Sequence, residues 1–163
     1  MILIRKYEGI LYAGVMITKD GPKLIEFNCR FGDPEAQVIL PLLETDIVEI
    51  MIKSISNNLK DIDINFGTKK AITVVLASKG YPGEFKKDII LPDIPSYKDS
   101  NNLIIYHSGT KLNKNDELVT NGGRVLCITS ISNTVSNCRE NAYNFIKKLN
   151  CPKLFYRTDI GKL

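Results

Sequence analysis

The chain has 163 residues, enough for one domain or for one and a half. Its composition, 44% hydrophobic and 25% charged, is typical of a globular protein with a sizeable core, and no apolar run reaches the length of a membrane span. The net charge of +4 comes mostly from scattered lysines, which favours a solvated surface over a nucleic-acid interface and stays compatible with an anionic small substrate.

The cysteines and the N-terminal sequence indicate the redox state and the cellular compartment of the protein. The four cysteines form no CxxC pair and the chain has a single histidine, so a zinc site is not expected. A chain this long and apolar needs no disulfides to fold, and its N-terminus lacks a signal-peptide pattern. The sequence therefore predicts a reduced, cytoplasmic protein with no membrane partner.

The first predicted element is a β-hairpin. Residues 9–18 (GILYAGVMIT) are rich in β-branched and aromatic residues, as in a strand, and residues 23–28 (KLIEFN) predict the returning strand. The sequence KDGP at 19–22 predicts the turn between them, with Gly21 able to take a positive φ.

Two helices are predicted after the hairpin. The first begins at Asp33, which can cap it, with Pro34 in its first turn and Glu35 at its positive end. The second begins at Thr45 or Asp46. Its apolar positions follow the period of a helix with one buried face: Ile47, Ile50, Met51, Ser54 and Ile55.

The rest of the chain predicts a small sheet. Residues 71–78 (AITVVLAS) predict a buried strand, and residues 103–108 predict another strand after a loop at 98–102. Residues 117–131 hold Asn-Gly-Gly at 121–123 between two alternating runs, which predicts a hairpin.

A last helix and the domain organisation complete the prediction. Residues 134–150 predict a helix, and the stretch 60–69 reads as a boundary between residues 1–62 and residues 63–163. The arrangement is α+β: a hairpin with helices, followed by a small antiparallel sheet with a helix across it. One face of the last helix is apolar: Val135, Cys138, Ala142, Phe145, Ile146 and Leu149.

Polar side chains are concentrated at the end of the second strand. Side chains alternate faces along a strand, so we expect Glu26, Asn28 and Arg30 to share the face of Leu24. Ile25 and Phe27 are expected to point into the core on the other side. A carboxylate and an amide oxygen two residues apart on one face form a pair of hard oxygen ligands. Mg²⁺ favours such ligands and takes the remainder from phosphates and water.

Two further charged residues follow this pair. Arg30 offers a planar fork suited to phosphate or acyl-phosphate oxygens, and Asp33 could orient Arg30 or meet an ammonium group. The alternative interpretation is that the strand end is a solvated face and that Asp33 is only a helix cap. The pattern alone leaves both interpretations open, since magnesium sites are poorly specified by sequence.

The sequence resembles the phosphoribosylamine–glycine ligase family of ATP-grasp enzymes over nearly the whole chain, from about Tyr7 to Lys162. The stretch EFNCRFGDPE is highly specific to that family. The resemblance is carried by these segments: YEGILYAGVMITKDGPKLIEFNCRFGDPEAQVILPLLETD, AITVVLASKGYPG, HSGTK, LVTNGGRVLCIT and YRTDIGK.

The resemblance implies the C-terminal half of an ATP-grasp domain followed by the family's C-terminal domain. It implies a reaction in which ATP phosphorylates glycine and the amine of 5-phosphoribosylamine attacks the glycyl phosphate. It further implies that Glu26 and Asn28 hold Mg²⁺ or Mn²⁺ against the ATP phosphates. Arg30 would then bind the nucleotide's phosphate oxygens, and Arg30 and Asp33 would be the catalytic candidates.

The family's members are far longer than this chain. They carry an N-terminal domain and the other half of the ATP-grasp, and neither precedes Tyr7 here. We therefore expect a fragment that is inactive alone and whose partner is the missing N-terminal part of the same enzyme. The alternatives are a non-catalytic folded module derived from the ligase and a different ATP-grasp carboxylate–amine ligase.

Two polar residues of the C-terminal part keep more than one interpretation. His107 stands alone near the end of a predicted strand, which is more typical of a structural histidine. Arg124 could contact a substrate phosphate or could anchor a turn.

Overall fold

The computed structural model describes residues 7–94 and 102–162, and it divides into two units. One unit comprises the residues up to Ala36 together with Leu43–Gly67, and the other comprises Gln37–Leu42 together with the residues from Thr68 onward. Both combine helices with antiparallel sheets, which confirms the α+β prediction. The predicted loop at 98–102 lies, except for its last residue, outside the described residues.

The first unit is built on the predicted hairpin. Strand β1 (Tyr12–Thr18) pairs antiparallel with β2 (Gly21–Asn28), and the turn is tighter than predicted because β2 already begins at Gly21. Gly21 has φ of 94°, a conformation that costs a residue without Cβ little.

A β-bulge interrupts this ladder. Gly14 lies opposite Glu26, but the next residue of β1, Val15, lies opposite Leu24, so Ile25 has no partner. Directly opposed residues share a face. Leu24 therefore lies on the face opposite that of Glu26, and the prediction that the two point the same way is wrong.

The prediction that Ile25 and Phe27 point into a core is also wrong. Their exposed fractions are 62% and 59%, and Leu24 on the same strand is 53% exposed. Strand periodicity predicts which side chains share a face, but it cannot show whether anything covers that face.

The helices of the first part of the chain are shorter and more exposed than predicted. Helix α1 (Ala36–Ile39) does not begin at Asp33, because residues 33–35 form a turn and the Ala36 N–H donates to the Gly32 carbonyl. Helix α2 (Ile47–Ile55) begins where predicted, with Asp46 Oδ1 accepting from the Val48 N–H at 2.7 Å. No residue of α2 is buried, so its predicted buried face is wrong.

The second unit contains a four-stranded antiparallel sheet in the order β4-β7-β3-β8. Strands β3 and β4 confirm the predictions for residues 71–78 and 103–108. The central strand β7 is buried along almost its whole length. The strands span Lys70–Ser78 (β3), Leu103–His107 (β4), Arg124–Ser132 (β7) and Leu154–Phe155 (β8).

Helix α3 (Val135–Leu149) supplies the rest of this core and confirms the last predicted helix. Thr134 caps its N-terminus by accepting from the Asn137 N–H at 3.1 Å, and Asn150 ends it in a left-handed conformation. Five residues of the predicted apolar face are buried in the core cluster: Cys138, Ala142, Phe145, Ile146 and Leu149.

The hairpin predicted within residues 117–131 is wrong. Strand β6 (Leu118–Thr120) pairs with β5 (Thr110–Leu112), whereas β7 pairs with β3 and β4. Gly122 and Gly123 continue β7 toward the end of β3, where their carbonyls accept from the hydroxyl and the N–H of Ser78. A Cβ on Gly123 would overlap the ring of Tyr81, so this glycine allows close packing and does not form a tight turn.

Candidate metal-binding face of the hairpin

The predicted ligand pair lies on one face of β2. Glu26 lies opposite Gly14 and Asn28 lies opposite Tyr12, both beyond the bulge, so alternation places the two side chains together. The Asn28 Nδ2 donates to Glu26 Oε1 at 3.0 Å. The amide and the carboxylate are thus close enough to contact the same ion.

Gly14 makes room for the Glu26 side chain. A Cβ at position 14 would lie 3.1 Å from Glu26 Cγ, closer than two carbon atoms normally pack. The strand pattern of residues 9–18 predicts nothing special at Gly14. A glycine in the middle of a predicted strand was the available signal for a close approach.

A second carboxylate reaches the same face. The Tyr12 hydroxyl donates to Glu35 Oε1 across 3.5 Å, a long contact. The charge on Glu35 is the main cause that raises the pKa of Tyr12, followed by burial, the hydrogen bond to Glu35 and the charge on Glu26. Both carboxylates therefore act on one phenol. Gly32 leaves the space that the Glu35 carboxylate fills, because a Cβ there would overlap it.

The sequence placed Glu35 at the positive end of a helix and missed its approach to Tyr12. That approach depends on the turn at residues 33–35, which no periodicity predicts. It brings together residues 23 positions apart.

Arg30 and Asp33 lie beyond the end of β2, where strand alternation no longer fixes their direction. Arg30 is exposed, and its Nη1 donates to the Phe31 carbonyl at 2.9 Å. Asp33 is exposed and lies at the start of the turn that leads to α1. The roles assigned to both residues stay predictions.

The donor set fits a hard cation that is shared with a second ligand. Within residues 7–94 and 102–162, no group of three or more His, Cys, Asp or Glu side chains could hold a metal ion. Two protein oxygens are nevertheless what Mg²⁺ uses when phosphates and water complete its octahedron. The face therefore suits a metal–phosphate complex better than a bare ion.

A similar pair elsewhere shows that such a contact is not by itself a site. Asn113 Nδ2 donates to Glu117 Oε2 at 2.9 Å in an exposed loop of the second unit. There, Asn113 Oδ1 also accepts from the backbone N–H groups of Asn115 and Glu117, which identifies a turn.

The structure describes the surroundings of the two residues whose roles the sequence left open. His107 Nδ1 and Thr110 Oγ1 lie 2.9 Å apart where β4 leads into β5, which suits a structural histidine. Arg124 is the first residue of β7. Its carbonyl oxygen lies so close to Gly109 that a Cβ on Gly109 would overlap it. Its side-chain role stays open.

The helices that the structure describes include none with the length and apolar content needed to cross a membrane.

Sequence comparisons match both units to one enzyme family. The model for the C domain of phosphoribosylglycinamide synthetase matches residues 71–163, and the model for the ATP-grasp (A) domain of the same synthetase matches residues 4–36. The first of these matches covers more than half of the chain.

Individual relatives agree with the family match. The chain is 46% identical over 155 residues to a phosphoribosylamine–glycine ligase of Caldanaerobacter subterraneus subsp. tengcongensis, covering 95% of this chain and 36% of the relative. A phosphoribosylamine–glycine ligase of Vibrio vulnificus is 42% identical with the same two coverages. The crystal structure of a phosphoribosylamine–glycine ligase from Thermotoga maritima superposes with a TM-score of 0.75 at 32% identity, over 91% of this chain and 36% of that one. The chain thus spans about a third of the length of these relatives.

Proposed function

Since the chain belongs to the phosphoribosylglycinamide synthetase family, we propose that it forms the metal-binding strand and the C-terminal domain of an ATP-dependent ligase. The proposed substrates are ATP, glycine and 5-phosphoribosylamine. The proposed domains are residues 1–62, the end of an ATP-grasp domain, and residues 63–163, the C-terminal domain. The remaining ATP-grasp half and the N-terminal domain would come from the part of the ligase that this chain does not match.

The proposed reaction has two steps. The glycine carboxylate attacks the γ-phosphorus of ATP, giving glycyl phosphate and ADP. The amine of 5-phosphoribosylamine then attacks the glycyl carbonyl and expels phosphate, which gives glycinamide ribonucleotide. In both steps charge on phosphoryl oxygens must be neutralised, so positioned cations carry most of the catalysis.

The observation that carries the proposal is the pair formed by Glu26 and Asn28. The two side chains lie 3.0 Å apart on one strand face, where both can reach an ion held against the ATP phosphates. A bound Mg²⁺ or Mn²⁺ would supply positive charge to those phosphates. Glu26 would bind it through its carboxylate and Asn28 through its amide oxygen.

Arg30 and Asp33 are proposed to act next to this pair. The guanidinium of Arg30 is exposed and forms one hydrogen bond to a neighbouring carbonyl, so phosphate oxygens can reach its other N–H groups. Asp33 is proposed to orient Arg30 or to accept a hydrogen bond from the ammonium group of glycine. A bidentate role for Arg30 predicts that lysine cannot replace it.

The test uses a chimera in which this chain is joined to the part of the Caldanaerobacter ligase that it does not match. The readout is ADP release that depends on both glycine and 5-phosphoribosylamine, followed over a range of Mg²⁺ concentrations. We expect Glu26→Gln to lower turnover by about 10²–10³-fold, the loss typical of removing one charge-stabilising group from an active site. Its melting temperature should stay the same, because Glu26 is exposed.

The matched control is Glu117→Gln, which changes an exposed glutamate that also accepts from an asparagine amide. It should leave turnover unchanged. Normal turnover and normal Mg²⁺ dependence in Glu26→Gln would show that Glu26 is a solvated surface residue, and the function would then rest on the family alone.

A further inference from the structure

A cavity in the second unit is lined by three lysines. Its volume is about 460 Å³, which falls in the range of small-molecule sites, ~300 to ~1,000 Å³. The proposed function assigns no role to the residues around it. We call it the lysine cavity and define it by its lining residues: Lys79, Glu84, Phe85, Lys86, Ile89 and Lys153.

Separate parts of the chain bring the lysines to this cavity. Strand β3 ends at Ser78, which pairs with Leu154 of β8. The residues next to this pair, Lys79 and Lys153, therefore lie at the same end of the sheet. Lys86 comes from the loop that follows β3. Like charges gathered at neighbouring strand ends repel one another, and an anion bound among them would remove that repulsion.

The chain itself does not balance the positive charge of the cavity. Within residues 7–94 and 102–162, none of the three lysine ammonium groups forms an ion pair, although Glu84 lines the same cavity. Lys111 of the same unit differs, since its Nζ lies 2.7 Å from Asp88 Oδ1. Three ammonium groups and one carboxylate leave a net charge of +2 in the cavity. A phosphate monoester carries about −1.5 to −2 at pH 7, which is complementary to that charge.

The cavity also has an apolar wall. Phe85 and Ile89 are both half-buried and both line it. The ring of Phe85 makes an edge-to-face contact with Tyr81, with 6.2 Å between the ring centroids. Tyr81 in turn packs closely against Gly123. The Phe85 ring is thus held in place and offers a surface on which a planar group of a ligand can stack.

The loop that carries this wall is fixed by its backbone. The Asp88 N–H donates to the Thr120 carbonyl at 2.8 Å, and the Thr120 N–H donates to the Ile89 carbonyl at 2.9 Å. Gly80 has φ of 101°, and a Cβ there would overlap the Glu84 carbonyl oxygen, so the loop folds back tightly on itself. A ligand would therefore meet a preformed site, which lowers the entropic cost of binding.

We propose that the lysine cavity binds a small organic phosphate. Its phosphate group lies among the three lysines, and its aromatic group stacks on Phe85. A lysine ammonium acts as a point charge and does not impose a planar geometry on the phosphate, so the ring supplies the selectivity for shape. This binding does not depend on the proposed function, because Glu26, Asn28, Arg30 and Asp33 do not line the cavity.

The experiment is titration of the ¹⁵N-labelled 163-residue chain with phenyl phosphate, inorganic phosphate and phenol, followed by NMR. Phenyl phosphate should shift the amide signals of residues 79–89 and 153. It should bind roughly tenfold more tightly than inorganic phosphate, a gain of the size that stacking on an aromatic side chain provides. Phenol should not bind measurably. The affinity for phenyl phosphate should fall as NaCl is added, because salt screens exposed charges.

Substitutions test the two parts of the cavity separately. Lys153→Gln should weaken both phosphates about threefold to fivefold, the effect of one exposed charge pair. Its melting temperature without ligand should not fall, because the substitution removes a repulsive charge from an exposed position. Lys79→Gln should act the same way. Phe85→Leu keeps an apolar side chain but removes the ring, so it should lower the affinity for phenyl phosphate to that for inorganic phosphate.

The matched control is Lys148→Gln, which changes an exposed lysine of α3 that does not line the cavity. It should leave both affinities unchanged. Three results would overturn the proposal: no binding of phenyl phosphate at low salt, amide shifts confined to other parts of the chain, or equal losses of affinity in Lys153→Gln and Lys148→Gln. Equal affinities of the wild type for phenyl phosphate and inorganic phosphate would refute the stacking on Phe85, and with it an organic ligand.

Discussion

Adding one methyl group at Gly14 should disturb the candidate metal site without unfolding the hairpin. The new Cβ would lie 3.1 Å from Glu26 Cγ and 3.6 Å from both the Glu26 carbonyl oxygen and Tyr12 Cε1. Carbon atoms rest about 3.5–4.0 Å apart, so the Glu26 side chain must move by roughly 0.4 Å or more. The other two contacts are ordinary, so the movement falls on Glu26.

The effect on stability should be small because two contributions oppose each other. Forcing Glu26 away from its rotamer costs about 0.5–1.5 kcal/mol. Replacing glycine by alanine lowers the conformational entropy of the unfolded chain, which stabilises the folded state by about 0.4–1 kcal/mol. The free energy of unfolding of Gly14→Ala should therefore differ from that of the wild type by less than about 1 kcal/mol.

The effect on metal affinity should be larger. Site residues must be held within about 0.5 Å of their productive positions, and loosening the support of a ligand typically costs about 10–100-fold in affinity. We expect Mn²⁺ to bind the chimera with ADP about tenfold more weakly in Gly14→Ala, equivalent to ~1.4 kcal/mol. The assay is titration of free Mn²⁺ by electron paramagnetic resonance, with thermal melting alongside.

The control is Gly83→Ala, which adds a methyl group 3.2 Å from the Gly80 carbonyl oxygen in the second unit. It should leave Mn²⁺ affinity unchanged. Wild-type affinity in Gly14→Ala, together with weakened binding in Glu26→Gln, would refute the steric argument. Wild-type affinity in both variants would refute the metal assignment.

Three further predictions concern the chain itself. Leu126→Ala in fully buried β7 should lower the free energy of unfolding by about 3 kcal/mol in urea titration, whereas Leu112→Ala at an exposed position should change it by less than about 0.5 kcal/mol. Hydrogen bonds from Arg157 lower the pKa of Asp159 from its usual 3.8 to about 2. The stabilisation of the folded state by this pair should therefore be complete above pH 3.8 and should disappear as the pH falls through 2. In the Arg157→Leu variant the pKa of Asp159 should rise toward 3.8, which a carboxyl NMR titration can measure. Finally, the chain alone should form no glycinamide ribonucleotide from ATP, glycine and 5-phosphoribosylamine, and product from the purified chain would contradict that expectation.

Sequence reasoning succeeded where one local pattern decides the structure. The spacing of Cys138, Ala142 and Phe145 fixed the buried face of α3, and Thr134 before the first turn fixed its start. The pattern around Gly21 gave the hairpin turn, because few other residues take a φ of 94° at little cost. In each case the determining contacts lie within a few residues along the chain.

It failed where distant residues decide the structure. The Asn-Gly-Gly segment has the composition of a tight turn, yet Gly122 and Gly123 meet Ser78 and Tyr81 from more than forty positions away. Helix α1 was placed too early because Asp33 and Pro34 suit a helix start, while the turn they form also brings Glu35 to Tyr12. Of the site, the pairing of Glu26 with Asn28 followed from alternation, whereas the contribution of Glu35 did not.

The unpaired position of Ile25 has a consequence for how this segment can vary in length. Because Ile25 has no partner on β1, a single-codon deletion there would leave Glu26 opposite Gly14 and Leu24 opposite Val15 in an uninterrupted ladder. Deleting Phe27 would instead carry Asn28 to the face of Leu24 and separate it from Glu26. The hairpin should therefore tolerate deletion of Ile25 much better than deletion of Phe27, although the two hydrophobic residues are only two positions apart. Only the deletion of Ile25 keeps Glu26 and Asn28 on one face.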